Sequence, residues 1–154
     1  MIAVRMLAGF VVAALLGFAG PAHAQKASES GDTRRPVPLS EMMALHQKQN
    51  MRDHLLAIQE IIGALAARDF AAAAKSASRI GSSPQAEQMC QHMGAGAPGF
   101  AEKGMLFHRT ADRIIEAAER RDLDASLRAV SETLSACDSC HREFRQEIVD
   151  DGAR

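Results

Sequence analysis

The chain has 154 residues, enough for one domain with its own core. It contains no Trp or Tyr and only 6 Phe, with abundant Ala, a composition that suits helices and argues against a sheet protein. With 18 Lys and Arg against 19 Asp and Glu, it lacks the basic excess that marks a nucleic-acid-binding surface.

The first 24 residues read as an export signal. Arg5 supplies the basic start, and residues 6–20 form an apolar run too short for a comfortable membrane span. Ala22-His23-Ala24 then has the small-x-small form that signal peptidase cleaves; the competing reading is an uncleaved membrane anchor. Cleavage removes one base, Arg5, and no acid, which leaves a formal charge of −2 on the mature chain. Residues 25–37 are polar and end among Pro36 and Pro38, the composition of a disordered leader. Residues 38–150 are expected to form the domain and 151–154 a tail.

A first helix is expected from Leu39 or Ser40, with Ser40 as N-cap, to about Arg68. Its second half repeats Met51, Leu55, Ile58, Ile62 and Leu65 at intervals of 4, 3, 4 and 3, while the stretch from His46 to Asn50 interrupts the apolar pattern. Asp69 caps a second helix, Phe70 to about Ile80, whose face is nearly all alanine. Ser82-Ser83-Pro84-Gln85 has the S-x-x-Q form of a capping box, so a short helix is expected to Met93, stopping at Gly94. A further helix follows Pro98-Gly99 and buries Phe100, Gly104, Phe107, Ala111, Ile114 and Ala118. Asp122 or Asp124 separates it from the last helix.

That last helix carries Cys137-Asp138-Ser139-Cys140-His141, a C-x-x-C-H pattern and the attachment signature of a c-type haem. On a helix, thiols at i and i+3 lie on one face and reach the two vinyl groups of one porphyrin edge. The adjacent imidazole falls under the iron as an axial ligand. Leu123, Leu127, Val130, Leu134, Cys137, His141, Phe144 and Ile148 are spaced 4, 3, 4, 3, 4, 3 and 4. This stripe predicts a helix running to about Val149, with Cys137 and His141 pointing into the core. A zinc site would want a second ligand pair of similar spacing, and a thioredoxin-like dithiol a βαβ pattern; the sequence has neither. Export agrees with the motif, since c-type haem is attached outside the bacterial cytoplasm.

An export signal, four main helices and a C-x-x-C-H near the end of the last helix together resemble the cytochrome c′ class of c-type cytochromes. Cys137-Asp138-Ser139-Cys140-His141-Arg142-Glu143-Phe144-Arg145 is similar to that family's motif, which places an aromatic residue and an arginine three and four residues past the haem histidine. The resemblance implies an all-α, antiparallel four-helix bundle holding one covalent haem c. It also implies a periplasmic location, redox partner proteins and a homodimer. One branch of the class leaves the iron five-coordinate and binds NO or CO. The other adds a methionine from the first helix and carries electrons. Met51-Arg52-Asp53-His54 is similar to the methionine-bearing segment of that second branch, so Met51 is the expected second iron ligand; Met42, Met43 and His46 on the same helix are alternatives. Arg145, read as one turn past His141, is expected to hold a propionate or a carboxylate beside the histidine, against the reading of a solvated arginine. Phe144 is expected in the core.

One cysteine remains. Cys90 lies in Met89-Cys90-Gln91-His92-Met93, with Met105 and His108 on the next helix, a set of soft donors that suits copper(I). The competing readings are packing and an intermolecular disulfide. No Ser-His-Asp arrangement, phosphate loop or carboxylate pair accompanies them. The chain therefore reads as an electron carrier and not an enzyme, with a gas-binding haem protein as the alternative function.

Overall fold

The computed structural model describes residues 31–150, so the expected export signal, the start of the leader and the tail lie outside the described residues. The chain divides after Asp32. The unit that begins at Thr33 is built from β1 Arg35–Leu39, α1 Glu41–Ala66, α2 Phe70–Ser78, α3 Pro84–Met93, α4 Phe100–Glu119, α5 Leu123–Glu143 and β2 Phe144–Ile148.

The helix boundaries arise from local chemistry. Ser40, Asp69 and Asp122 each accept a backbone N–H three residues on, as N-caps do. At α3 the cap is Ser83, one residue later than expected, because Pro84 lacks an N–H and has a fixed φ suited to the first helical turn. α1 and α4 end alike. Arg68 and Arg121 take positive φ of 56° and 57°, and the following Asp69 and Asp122 donate back to Ala64 and Ala117. In each case that aspartate also caps the next helix, so both turns are short.

The expected last helix is corrected at its end. α5 stops at Glu143; Phe144 is already extended, with φ −120° and ψ 148°, and β2 pairs in parallel with β1 from Arg35↔Phe144 to Leu39↔Ile148. Arg35, Pro36 and Val37, read as leader, thus belong to a strand. The two prolines that suggested disorder alternate with Val37 and Leu39, and the Leu39 carbonyl accepts from Val149 on the β2 side, so the positions where Pro36 and Pro38 lack an N–H face away from the ladder. Arg145 consequently lies on β2 and not one helical turn past His141. Ile148, expected on the buried stripe, is exposed.

α4 packs most extensively on α5, then on α2; α2 packs on α1, α3 lies against α4, and α1 meets α5 more sparingly. The main core cluster joins α1, α2, α4 and α5 through Ile58, Ile61, Leu65, Phe70, Ala73, Phe107, Ile114 and Val130. A second cluster gathers Val37, Leu39, Ala44, Met93, Phe100 and Phe144 where the strands, α3 and the start of α4 meet. The buried face of α4 is the expected one, apart from the half-buried Gly104.

The buried face of α5 is not the expected one. Ser126, Ala129, Val130, Thr133 and Ala136 are buried, whereas Leu127, Leu134 and His141 are exposed. Ser126 and Thr133 donate to the carbonyls of Asp122 and Ala129, so burial leaves no hydroxyl unpaired and lets α4 come close. α1 is rotated in the same sense: Ala57, Ile58, Ile61 and Leu65 are buried, and Met51, Leu55 and Ile62 stay out. Among the described residues no helix is long and apolar enough to cross a membrane.

Candidate functional site

The C-x-x-C-H motif occupies the last turns of α5, held there by a network of side chains. Lys103 of α4 donates to Ser139 Oγ at 2.8 Å and pairs with Glu143 at 2.8 Å. Arg35 of β1 also pairs with Glu143, donates to the carbonyl of Pro98 at 2.7 Å and stands 4.4 Å over the ring of Phe144. Hydrogen bonds from Lys103 and Arg35 hold the Glu143 carboxyl below the usual carboxylate range. Arg34 donates to the carbonyl of His141, one of the orphan acceptors at the helix end. All three cysteines are free thiols. Cys137 packs on the main cluster and Cys140 on the second. Burial pushes both thiols up, with the Lys103 ammonium opposing the rise at Cys140. The His141 ring is exposed.

Contacts with neighbours fix which way the flanks of α1 and α5 face. Glu60 of α1 accepts from Ser76 and pairs with Arg79, so α2 covers that flank of α1. Met51, Leu55, Ile58 and Ile62 form the opposite flank. On α5, Glu132 pairs with Arg113 and Ser139 accepts from Lys103, so α4 covers that flank. Leu127, Leu134 and His141 lie on the other one. Apart from the buried Ile58, these two flanks border one seam, between α1 and α5, which pack sparingly on each other. Its walls are apolar and half open: Met51 is 40 % exposed, Leu55 67 % and Leu134 42 %.

The strand register sets the height of the motif along α1. Ile148 pairs with Leu39, beside the start of α1, while Gln146 donates to the Ala44 carbonyl and to Gln47 farther along. β2 thus runs back toward the start of α1. The end of α5 lies three extended residues before Gln146, about 10 Å at ~3.3 Å per residue. That equals six or seven residues of α1 at ~1.5 Å each and brings His141 level with the turn that holds Met51. The contacts of α4 agree, because His54 stacks on Phe107 at 4.7 Å and Lys103 reaches Ser139.

Comparison with protein-family models, curated proteins and solved structures finds no match to this chain. Its geometry alone must carry the site.

Of the four side chains of α1 that the sequence offered as iron ligands, Met51 is the one both level with the motif and on the seam. Met43 packs against the second cluster, below it, and Met42, at 81 % exposure, and His46 face solvent near the helix start. Phe144 is buried, edge-on to Phe100 at 5.4 Å. Arg145 pairs with Glu147 on its own strand at 3.2 Å. Three of the soft donors around Cys90 are turned elsewhere. Met93 points into the second cluster, His92 is exposed, and His108 is buried with its Nδ1 2.9 Å from the Ile80 carbonyl. Among the described residues no three His, Cys, Asp or Glu side chains form a metal-holding group.

One feature the sequence reading missed is the ring cluster of His54, Phe107 and His108. His54 lies flat on Phe107 and perpendicular to His108, at 5.6 Å. Burial, reinforced by His108 and opposed by Asp53, lowers the His54 pKa to about 4, so its ring is neutral at physiological pH. A cavity of about 440 Å³ beside it is lined by Asn50, Asp53, His54, Arg79 and Ile80. The signal for His54 was in the sequence: it precedes Ile58, Ile61 and Leu65 by 4, 7 and 11 residues, the buried line of α1.

Proposed function

We propose that this chain is an exported c-type cytochrome that carries single electrons through one covalently bound haem c. In this reading α1, α2, α4 and α5 form an antiparallel four-helix bundle, with α3 in the long crossover. Cys137 and Cys140 hold the haem as thioethers, His141 ligates the iron, and Met51 ligates it from the opposite wall. One observation carries the proposal: the imidazole of a C-x-x-C-H motif lies on the flank of α5 that borders an open apolar seam, with a thioether level with it on α1, while the two thiols of the motif lie free on the same helix end. An apolar macrocycle is the kind of group such walls lack, since it would cover Leu55, Leu127 and Leu134 from water. When bound, the haem supplies a one-electron iron couple. The chain's own part is to orient the iron ligands, exclude water and set the potential, which a thioether ligand raises relative to a second histidine. The reading implies a periplasmic protein serving redox partner proteins, not an enzyme, with no nucleic-acid partner and no membrane after signal cleavage. Resemblance to the cytochrome c′ class adds a homodimer.

Acid-acetone extraction of the exported protein should leave the colour with the polypeptide, whose intact mass exceeds the mature chain by one haem. Colour in the organic layer would reject covalent attachment. The reduced spectrum with and without CO separates the electron carrier from its rival. A low-spin spectrum indifferent to CO supports six-coordination, and a high-spin spectrum that shifts with CO supports a five-coordinate protein binding NO or CO.

A further inference from the structure

We infer that in the haem-free chain Cys90 forms a disulfide with Cys140, which withholds the second attachment thiol from the haem. The pairing stands on the geometry of α3, α4 and α5; only its consequence rests on the haem reading. The thiol of Cys90 lies directly over Gly104 of α4, where an added Cβ would stand 2.7 Å from its Sγ. Cys140 packs against the second cluster, to which Met93 and Phe100 belong. Met93 follows Cys90 by three residues on α3, and Gly104 follows Phe100 by four on α4, about one turn in each case. Lys103, next to Gly104, donates to Ser139, next to Cys140, at 2.8 Å, so both thiols lie against the same stretch of α4. Burial raises the Cys90 thiol, and Cys140 raises it further through space. Gly104 is what admits the contact, since a larger residue would push α3 off α4.

The chemistry balances in either of two ways. Direct oxidation joins the two sulfurs and passes two protons and two electrons to a disulfide oxidant of exported proteins. Exchange starts instead from a bond between Cys137 and Cys140. The Cys90 thiolate attacks Cys140 Sγ, the existing S–S bond breaks, and Cys137 leaves as the thiolate. Both routes leave Cys137 reduced and Cys140 blocked, so haem attachment awaits a reductant.

The full chain carrying Cys137→Ser, produced without haem attachment, isolates the pair. Equilibration in glutathione buffers gives the effective concentration of Cys90 toward Cys140, in native buffer and in concentrated guanidinium chloride. The fold should raise it at least about tenfold over the denatured chain; an equal or lower value overturns the proposal. Thiol trapping and peptide mapping of the oxidised, haem-free chain with all three cysteines give the second readout. A dominant Cys90–Cys140 cross-link is expected, and a dominant Cys137–Cys140 cross-link or three free thiols overturns it. Haem content of the exported protein is measured separately, so a protein that never acquires haem removes the consequence and leaves the pairing to be judged on its own.

Discussion

Met51 is the residue on which the proposed chemistry turns, and its exposed position makes it separable from the core. Met51→Ala should leave the fold intact, while the reduced iron becomes high-spin and binds CO. Met43→Ala should leave the spectrum unchanged, because that side chain packs against the second cluster. A low-spin spectrum that survives Met51→Ala would move the ligand elsewhere on α1. His54 makes a different kind of prediction. Its folded pKa, lowered from 6.5 to about 4, leaves it uncharged where the unfolded chain takes up a proton. The unfolded state thus binds more protons between those values, and stability falls as pH drops from about 6.5 to about 4. The loss attributable to His54 is on the order of 3 kcal/mol. His54→Phe keeps the stack on Phe107 and should remove that part of the acid sensitivity. Denaturant unfolding of both proteins across this range checks it, and parallel pH curves would contradict it.

At the scale of elements, the turns that close α1 and α4 were legible because caps act over three or four residues. Asp69 and Asp122 each end one helix and start the next. What they require is a left-handed residue just before the aspartate, and arginine fills that place twice. Arg68→Gly should relieve that strain and stabilise the chain by about 0.5–1 kcal/mol, read as a rise in denaturation midpoint with unchanged slope. Arg121 is the less clean test, because its guanidinium lies 5.6 Å from the Phe70 ring. The change from α5 to β2 was not legible. Phe144 and Ile148 continue the helical spacing, and only pairing with a strand more than 100 residues earlier decides for extended backbone.

For the molecule as a whole, the seam between α1 and α5 is sparsely packed beside the close contacts of α4 with α5 and with α2. It leaves Met51, Leu55, Leu127 and Leu134 partly in water. A haem-free chain should therefore loosen along this seam first. Hydrogen exchange should be faster in the second half of α1 than in α4 and α5, and attachment of haem should slow it most there. Uniform protection across all helices, unaltered by haem, would contradict a cofactor in the seam.

The sequence by itself determined the order of the helices, the caps at Ser40 and Asp69, the buried face of α4 and the spacing of Cys137, Cys140 and His141, because each depends on residues within about two turns of one another. The tertiary structure alone decided which flank of α1 and of α5 is buried. A 3-4 spacing of large apolar residues marks an apolar stripe but not its partner. Here Ala129, Thr133 and Ala136 take the tight contact with neighbouring helices because they are small, and the leucines are left beside it. The height of the motif along α1 was likewise beyond local reading. It is set by the register of Arg35–Leu39 against Phe144–Ile148, a pairing between the two ends of the folded unit. In the proposed reading, that pairing is what selects Met51, rather than Met42 or Met43, as the partner of His141.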